Sequence, residues 1–255
     1  MSQQKPRGRS VQTATTTGGM RTFYVVFGVV AVAVVAVLLY MALGTSSTTA
    51  TGNGVNGTVP AKRGADIPTG QADDGRFYLG KADAPVTVIL YADYQCPGCG
   101  HYTSNFEANF EKEFVATGKV RMVFHDFPLS MHPNAVNAAV AARCAGSVSS
   151  DAYWQMHDML YANQRQWSSL AANAVNAQFT TYAAQIGIDT AAFNSCIADP
   201  AVTDKVVELQ RASNALGLPG TPSFAVNGKV VDATNAKSID EIDGLVRAAV
   251  ATYLP

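Results

Sequence analysis

The sequence lacks the features of a nucleic-acid-binding protein and of the common zinc proteins. Its formal net charge is −1, and no basic stripe exists outside the N-terminus, which excludes a nucleic-acid partner. The chain has four cysteines, and only Cys96 and Cys99 form a C-x-x-C motif. A zinc site usually needs a second pair, whereas Cys144 and Cys196 stand alone and far apart. We therefore expect no metal site.

Charge is also absent from a long run near the N-terminus. Residues 1–22 are polar and basic without an acidic residue, and residues 23–43 are uncharged over a length that spans a bilayer as a helix. No Lys or Arg follows until Lys62, so the positive-inside rule places the N-terminus in the cytoplasm and the rest of the chain outside. We predict a single-pass signal anchor in the cell membrane. A signal peptide cleaved near Ala50, giving a secreted form, is the alternative.

Residues 44–75 contain few side chains that a core could bury. They are rich in Gly, Ser, Thr, Asn and Ala, a composition typical of a flexible linker. The folded domain is expected to cover residues 76–255, in the periplasm or at the cell exterior. Disulfide bonds persist in such a compartment, so four cysteines are compatible with two disulfides.

The rest of the chain is organised around the stretch VTVILYADYQCPGCGHY, residues 86–102. The β-branched apolar run predicts a buried strand, and the cysteines follow it at the start of a helix, where Pro97 costs no hydrogen bond. The helix N-terminus favours an anion, so we expect a depressed pKa for Cys96. Cys99 lies one turn further on, within disulfide reach. The pattern predicts a dithiol/disulfide redox centre in which Cys96 attacks and Cys99 resolves.

The segments that follow predict an α/β domain with a helical block. Residues 120–124 form a second apolar strand, which gives a βαβ unit with a parallel strand pair. Residues 133–216 show almost only helical patterns. Asn227 and Gly228 predict a β-hairpin, and a last helix follows Ser238.

Five separated motifs support one family resemblance: D-Y-Q-C-P-G-C, F-H-D-F-P-L, H-P-N-A, A-A-R-C-A and G-T-P-S-F, in this order. Over about residues 77–253 the chain resembles the DsbA-like branch of the thioredoxin superfamily, the thiol:disulfide interchange proteins of bacterial envelopes. The resemblance implies the α/β fold class. It further implies a thioredoxin-like fold with a helical subdomain inserted at about 133–216. The transmembrane helix predicted from residues 23–43 would precede this domain.

The resemblance also assigns residues around the cysteines. It implies that Pro222 is a cis-proline beside the C-x-x-C motif and that Thr221 hydrogen-bonds the backbone of the substrate. A cis bond is nearly confined to X-Pro, and an exposed strand edge can bind an extended polypeptide. Pro97 and Gly98, between the cysteines, would tune the reduction potential.

Two positions near the motif leave alternatives open. Many thioredoxin-like proteins carry a buried acid six residues before the first cysteine, where this chain has Leu90, and Asp93 is the nearest acid. His101 lies near the start of the active-site helix. As an imidazolium it would stabilise the Cys96 thiolate, and the alternative is a solvent-facing helix residue.

Cys144 and Cys196 both fall in the helical block. In an oxidising compartment, with both cysteines on adjacent helices, we expect a structural disulfide. The A-A-R-C-A context resembles actinobacterial-type relatives that carry this extra bridge. The alternative is two buried free thiols that act as small hydrophobic side chains.

The sequence thus predicts an extracytoplasmic DsbA-like oxidase that introduces disulfides into exported polypeptides with free cysteines. No metal or organic cofactor is needed, and a monomer is expected. The resemblance implies a membrane redox partner of the DsbB or VKOR kind that reoxidises the protein. Two alternatives stay open: a disulfide reductase kept reduced by a membrane electron donor, and a non-catalytic thioredoxin-like binding or chaperone module.

Overall fold

The computed structural model describes residues 56–61, 63 and 67–255. The predicted basic tail (1–22) and transmembrane segment (23–43) lie outside these residues. Among the residues described, no helix combines the length and the apolar character that crossing a bilayer requires.

The described part of the chain is built on one six-stranded mixed sheet. Its strands are β1 Thr69–Gln71, β2 Phe77–Leu79, β3 Val86–Ala92, β4 Val120–Asp126, β5 Ser223–Val226 and β6 Lys229–Val230. They lie side by side in the order β1-β2-β4-β3-β5-β6. The central strands β3 and β4 are parallel, and the other neighbouring pairs are antiparallel. The apolar residues of the central strands are buried, which accounts for their near-continuous hydrophobic sequences.

The helices of the described residues are numbered α1 to α8. Helix α1 consists of α-helical Pro97–Tyr102 and Ala108–Phe110 alternating with π-helical Thr103–Glu107 and Glu111–Val115. The others are α2 Ala135–Gly146, α3 Ser150–Ala162, α4 Gln164–Trp167, α5 Ala172–Gln185, α6 Thr190–Ile197, α7 Pro200–Ala215 and α8 Ile239–Ala251.

Helix α1 connects β3 to β4, and these elements form the predicted βαβ unit. Val86 lies opposite Val120, and Ala92 lies opposite Asp126, which confirms the parallel pairing. The carboxyl ends of both strands therefore meet at one edge of the sheet, where sites collect in parallel sheets. The cysteine motif follows β3 at this edge.

Helices α2 to α7 lie between β4 and β5 and confirm the predicted helical insertion. Polar side chains fix where several of them begin: Ser149, Asp189 and Asp199 accept backbone N–H bonds at the starts of α3, α6 and α7. Asp151, in the first turn of α3, accepts a hydrogen bond from the Thr69 hydroxyl of β1.

Aromatic side chains fill the interface between the sheet and the insertion. The rings of Phe77 and Tyr153 stack with centroids 3.9 Å apart, and Phe124 meets Trp154 edge-on. Pairs of this kind add about 0.5–1.5 kcal/mol beyond the burial of their area. The sheet and the insertion thus share one hydrophobic core.

The linker prediction for residues 44–75 is wrong over its C-terminal part. Thr69–Gln71 form strand β1, with Gly70 opposite Tyr78, and β1 is the edge strand of the sheet on this side. A side chain at Gly70 would meet the Tyr78 ring at 2.3 Å. Sequence patterns do not indicate this pairing, because it is made by backbone groups and not by apolar side chains. The folded domain therefore begins before residue 76.

Candidate active site

The C-x-x-C motif lies where β3 passes into α1. Cys96 is the N-cap of the helix, with extended backbone angles, and Pro97 occupies its first turn. The backbone N–H of Cys96 donates to the Asp93 carbonyl at 3.1 Å, and Gly100 N–H donates to the Cys96 carbonyl at 3.1 Å. The strand, the turn and the helix start thus place the Cys96 sulfur at the helix N-terminus, as the sequence predicts.

The two motif cysteines are free thiols in different environments. Cys96 is 7% exposed and Cys99 is 2% exposed. A hydrogen bond from the Cys99 thiol, helped by nearby backbone N–H groups, lowers the pKa of Cys96 to about 6 against the opposing effect of burial. Burial raises the pKa of the Cys99 thiol well above its ordinary value, and the bond to Cys96 raises it further. At neutral pH the arrangement therefore holds one thiolate, at the more exposed sulfur.

The peptide bond between Thr221 and Pro222 is cis, and it lies beside the cysteines. Tyr91 of β3 pairs with Ser223 at the start of β5, which brings the Thr221–Pro222 bond next to the beginning of α1. The Cys96 sulfur lies 3.3 Å from the Thr221 carbonyl oxygen, to which it donates when it is protonated. A Cβ at Gly98 would lie 3.4 Å from Pro222 Cδ, an ordinary van der Waals distance, so the proline ring packs against the start of the helix.

Asp93 shapes the turn that carries Cys96. Its buried carboxylate accepts hydrogen bonds from the backbone N–H groups of Gln95 and Leu129, at 2.7 and 2.8 Å, and from His132 Nδ1 at 2.7 Å. It therefore ties the turn after β3 to the turn after β4. The sequence left the role of Asp93 open. In the structure it is a positioning residue, and Leu90 is an ordinary core side chain.

Two glutamine side chains also hold the turn. Gln164 Nε2 donates to the carbonyls of Tyr94 and Cys96, at 2.7 and 2.9 Å. Gln95 Nε2 donates to the Ser168 carbonyl at 2.8 Å, and its Oε1 accepts from Asn134 N–H at 2.7 Å. The helical insertion thereby fixes the backbone around the attacking sulfur. Gln95 belongs to the D-Y-Q-C-P-G-C motif, but the sequence did not indicate its role, and Gln164 was missed because an isolated glutamine carries no spacing signal.

His101 is exposed on α1 and has its partners on its own helix. The Asn105 amide donates to the His101 carbonyl at 2.9 Å and lies 3.3 Å from its Nδ1, and the ring packs against Phe106. The groups that lower the pKa of Cys96 are Cys99, Thr221 and Gly98. The structure therefore places His101 as the solvent-facing alternative and gives it no role at the sulfur.

A disulfide joins Cys144 of α2 to Cys196 of α6, with 5.6 Å between the Cα atoms. This is the pairing that the resemblance implied, and it lies within the helical insertion. Within the described residues, no cluster of three or more His, Cys, Asp or Glu side chains could hold a metal ion.

Comparison with known proteins identifies the family. A family model described as "Thioredoxin" matches residues 72–247. The chain belongs to this thioredoxin family, and within it the chain is DsbA-like. The described fold resembles that of BdbD from Bacillus subtilis, with a TM-score of 0.60 and 24% identity over 73% of this chain and 99% of the other. It also resembles alpha-DsbA1 from Wolbachia pipientis, with a TM-score of 0.58 and 21% identity over 72% and 95%.

Two curated relatives match the sequence over shorter stretches. A probable disulfide bond formation protein D from Bacillus anthracis is 27% identical over 160 residues, which are 60% of this chain and 70% of the relative. An Na(+)/H(+) antiporter, NhaA 3, from Salinispora tropica is 34% identical over 151 residues, which are 59% of this chain. The chain spans only 21% of the length of that antiporter, so the antiporter's transport activity is not carried over.

Proposed function

We propose that the chain is an extracytoplasmic thiol:disulfide oxidase that introduces disulfide bonds into exported polypeptides with free cysteines. The observation that carries this proposal is the pair of opposite pKa shifts at Cys96 and Cys99, beside the cis Thr221–Pro222 bond. A lowered pKa at the outer sulfur and a raised pKa at the inner one assign the attacking and resolving roles.

The reaction begins with the oxidised Cys96–Cys99 disulfide. A substrate thiolate attacks the Cys96 sulfur, the bond between the two cysteines breaks, and Cys99 takes the electron pair and then a proton. The product is a mixed disulfide between the substrate and Cys96. A second substrate thiolate then attacks the substrate sulfur of this bond and releases Cys96 as a thiolate. The substrate has been oxidised by two electrons, and the protein has become a dithiol.

The direction of transfer follows from the stability of the released thiolate. A Cys96 pKa lowered to about 6 stabilises the reduced protein at neutral pH and makes its disulfide more oxidising than one whose cysteines have ordinary pKa values. This reasoning favours the oxidase over the reductase.

The substrate is proposed to bind beside the cis bond, with Thr221 hydrogen-bonding its backbone and with Pro97, Gly98 and Pro222 shaping the contact. The Thr221 side chain interacts with the Cys96 sulfur and lowers its pKa, so Thr221 lies where a substrate cysteine would have to arrive, which supports a role for Thr221 in binding. Backbone recognition of this kind accepts an extended polypeptide of almost any sequence.

The proposal extends to location and partners. Residues 23–43 would anchor a monomer in the membrane with its N-terminus in the cytoplasm, and a cleaved, secreted form is the alternative. A membrane protein of the DsbB or VKOR kind would reoxidise the dithiol. The chemistry described above needs no metal or organic cofactor.

The deciding measurement is the reduction potential of Cys96 and Cys99 in the full chain, by equilibration with glutathione. An oxidase is expected to give about −120 to −180 mV, whereas a value below about −250 mV would establish the reductase instead. Cys96→Ser tests the third alternative in a substrate refolding assay. A binding or chaperone module would keep its activity without the thiol, and an oxidoreductase would lose it.

A further inference from the structure

The helical insertion binds a segment of the chain that precedes the sheet. Gln185 accepts from Gly57 N–H at 2.9 Å and donates to the Gly57 carbonyl at 3.1 Å. Asn163 likewise accepts from Thr58 N–H at 2.7 Å and donates to the Thr58 carbonyl at 2.8 Å. Two side-chain amides thus satisfy both backbone groups of two successive residues. A side chain at Gly57 would meet the Tyr182 ring at 2.6 Å, so this position requires glycine.

Arg63 extends this contact into an acidic pocket. Its guanidinium forms ion pairs with Glu107, Glu111 and Asp158, with 2.5 Å to Asp158 and 3.4 Å to Glu107. It also lies over the Trp154 ring at 5.0 Å. The pocket is a cavity of about 550 Å³ between α1 and α3, and Pro60, Ala61 and Arg63 line its remaining side.

The charges make Arg63 necessary in this pocket. Glu107 and Glu111 are 1% and 6% exposed, and a buried carboxylate without a partner destabilises a protein by several kcal/mol. Burial alone would lower the pKa of Arg63, but Glu107 and Asp158 outweigh this effect and raise it. The guanidinium therefore stays charged and bound.

The segment contacts both elements that frame the attacking sulfur. Glu107 and Glu111 lie on α1, the helix that begins after Cys96. Asn163 directly precedes Gln164, whose amide donates to the Cys96 carbonyl at 2.9 Å. A displacement of α1 relative to the end of α3 would therefore disturb the Gln164 contact.

We propose that residues 57–61 and Arg63 form a strap that binds in cis and braces α1 against the helical insertion, so that Gln164 keeps its contact with the Cys96 turn. The groove made by Asn163, Gln185 and the three carboxylates is thus a site for an extended peptide followed by an arginine. Its occupant is this segment of the same chain. The effect on Cys96 rests on the proposed function, whereas binding of the strap does not.

The test compares two strap variants with a control in the full chain. Arg63→Gln removes the cation, and Gln185→Ala releases Gly57 without a change of charge. Arg211→Gln removes an exposed arginine of α7 and serves as the control for charge. Hydrogen exchange at the Gly57 and Thr58 amides reports strap binding. The glutathione equilibrium of Cys96 and Cys99 reports the effect on the site.

We expect slow exchange at both amides in the wild type and in Arg211→Gln, and fast exchange in the two strap variants. Both strap variants should also shift the glutathione equilibrium by about fivefold toward the disulfide form of the protein, the factor for one weakened hydrogen bond. Fast exchange in the wild type would overturn the strap itself. If the glutathione equilibrium shifted in Arg63→Gln but not in Gln185→Ala, the loss of the positive charge would explain the shift, and the brace would be overturned.

Two further outcomes separate the proposals. If the exchange accelerates in both variants and the glutathione equilibrium stays at the wild-type value, the strap has no influence on the site and the brace is refuted. If the wild-type cysteines do not equilibrate with glutathione at all, the proposed function fails and the brace with it. In either case, the exchange rates of the Gly57 and Thr58 amides show whether the strap binds.

Discussion

Cys96 and Cys99 have the same covalent chemistry and, under the proposed function, opposite tasks, and the difference comes from what surrounds each sulfur. The Cys96 sulfur accepts a hydrogen bond from the Cys99 thiol and lies near backbone N–H groups at the start of α1. The Cys99 sulfur is enclosed by the core, where a negative charge is disfavoured. The Cys96 sulfur thus lies in a site that favours an anion, and the neighbouring Cys99 sulfur lies in one that disfavours it. Under the proposed function, this difference determines which sulfur attacks and which resolves.

The Cys96 thiolate makes the stability of the reduced protein depend on pH. The pKa of Cys96 is lowered to about 6 in the folded protein, whereas cysteine in an unfolded chain has a pKa of about 8.5. The stabilisation is therefore complete above about pH 8.5 and is lost as the pH falls through about 6. We expect the free energy of unfolding of the reduced wild type, relative to that of Cys96→Ser, to rise across this window in urea denaturation.

The oxidised protein serves as the control for this measurement, because its Cys96 sulfur does not titrate. Its free energy of unfolding relative to Cys96→Ser should lack the rise. A difference between reduced wild type and Cys96→Ser that stays constant over the window would contradict a lowered Cys96 pKa.

At the scale of elements, the insertion has two separate supports: a shared aromatic core with the sheet and the disulfide between α2 and α6. The disulfide closes a loop with a sequence separation of 52 residues, and loops of this size contribute about 4 kcal/mol in the chain-entropy account. We expect Cys144→Ala with Cys196→Ala to lose about this amount in urea denaturation. The glutathione equilibrium of Cys96 and Cys99 should change little.

The double replacement also has a matched control, since the wild type can be denatured with both disulfides reduced. If the disulfide acts by restraining the unfolded chain, the reduced wild type should unfold at the urea concentration of the double variant. A double variant as stable as the oxidised wild type would refute a structural role for this bond.

The elements that the sequence predicted well have local signals. The β3–α1 unit is marked by an apolar run, a proline at a helix start and the cysteine spacing, all within residues 86–102. The amides that hold the site have no such signal, because their partners are remote. Gln164 binds the Tyr94 carbonyl 70 positions away, and Asn163 binds Thr58 at a separation of 105. Such contacts follow from the packing of α3 and α4 against the sheet, which composition and periodicity do not encode.

At the scale of the whole molecule, the start of the domain is set by charge as much as by apolar burial. Residues 44–75 were predicted as a linker because they offer little to a core. Arg63 nevertheless neutralises carboxylates of two helices, and β1 extends the sheet. A domain boundary drawn from hydrophobic content alone therefore falls too late in the chain.

This gives a prediction for two fragments of the chain. A fragment that begins at residue 76 loses β1 and Arg63 and leaves Glu107 and Glu111 without their cation, which should cost about 3–5 kcal/mol. A fragment that begins at residue 52 keeps both and should match the full chain. Urea denaturation of the two fragments makes the comparison, and equal midpoints would show that the N-terminal contacts contribute nothing to stability.

The small exposure of the Cys96 sulfur bears on when the protein would act. Only 7% of this residue reaches solvent, so a partner cysteine must be carried to it on a segment that can enter beside the Thr221–Pro222 bond. Cysteines enclosed in finished domains cannot make that approach. Under the proposed function, the enzyme would oxidise exported chains while they are still unfolded, so the order in which cysteines emerge from the membrane would influence which pairs are joined first.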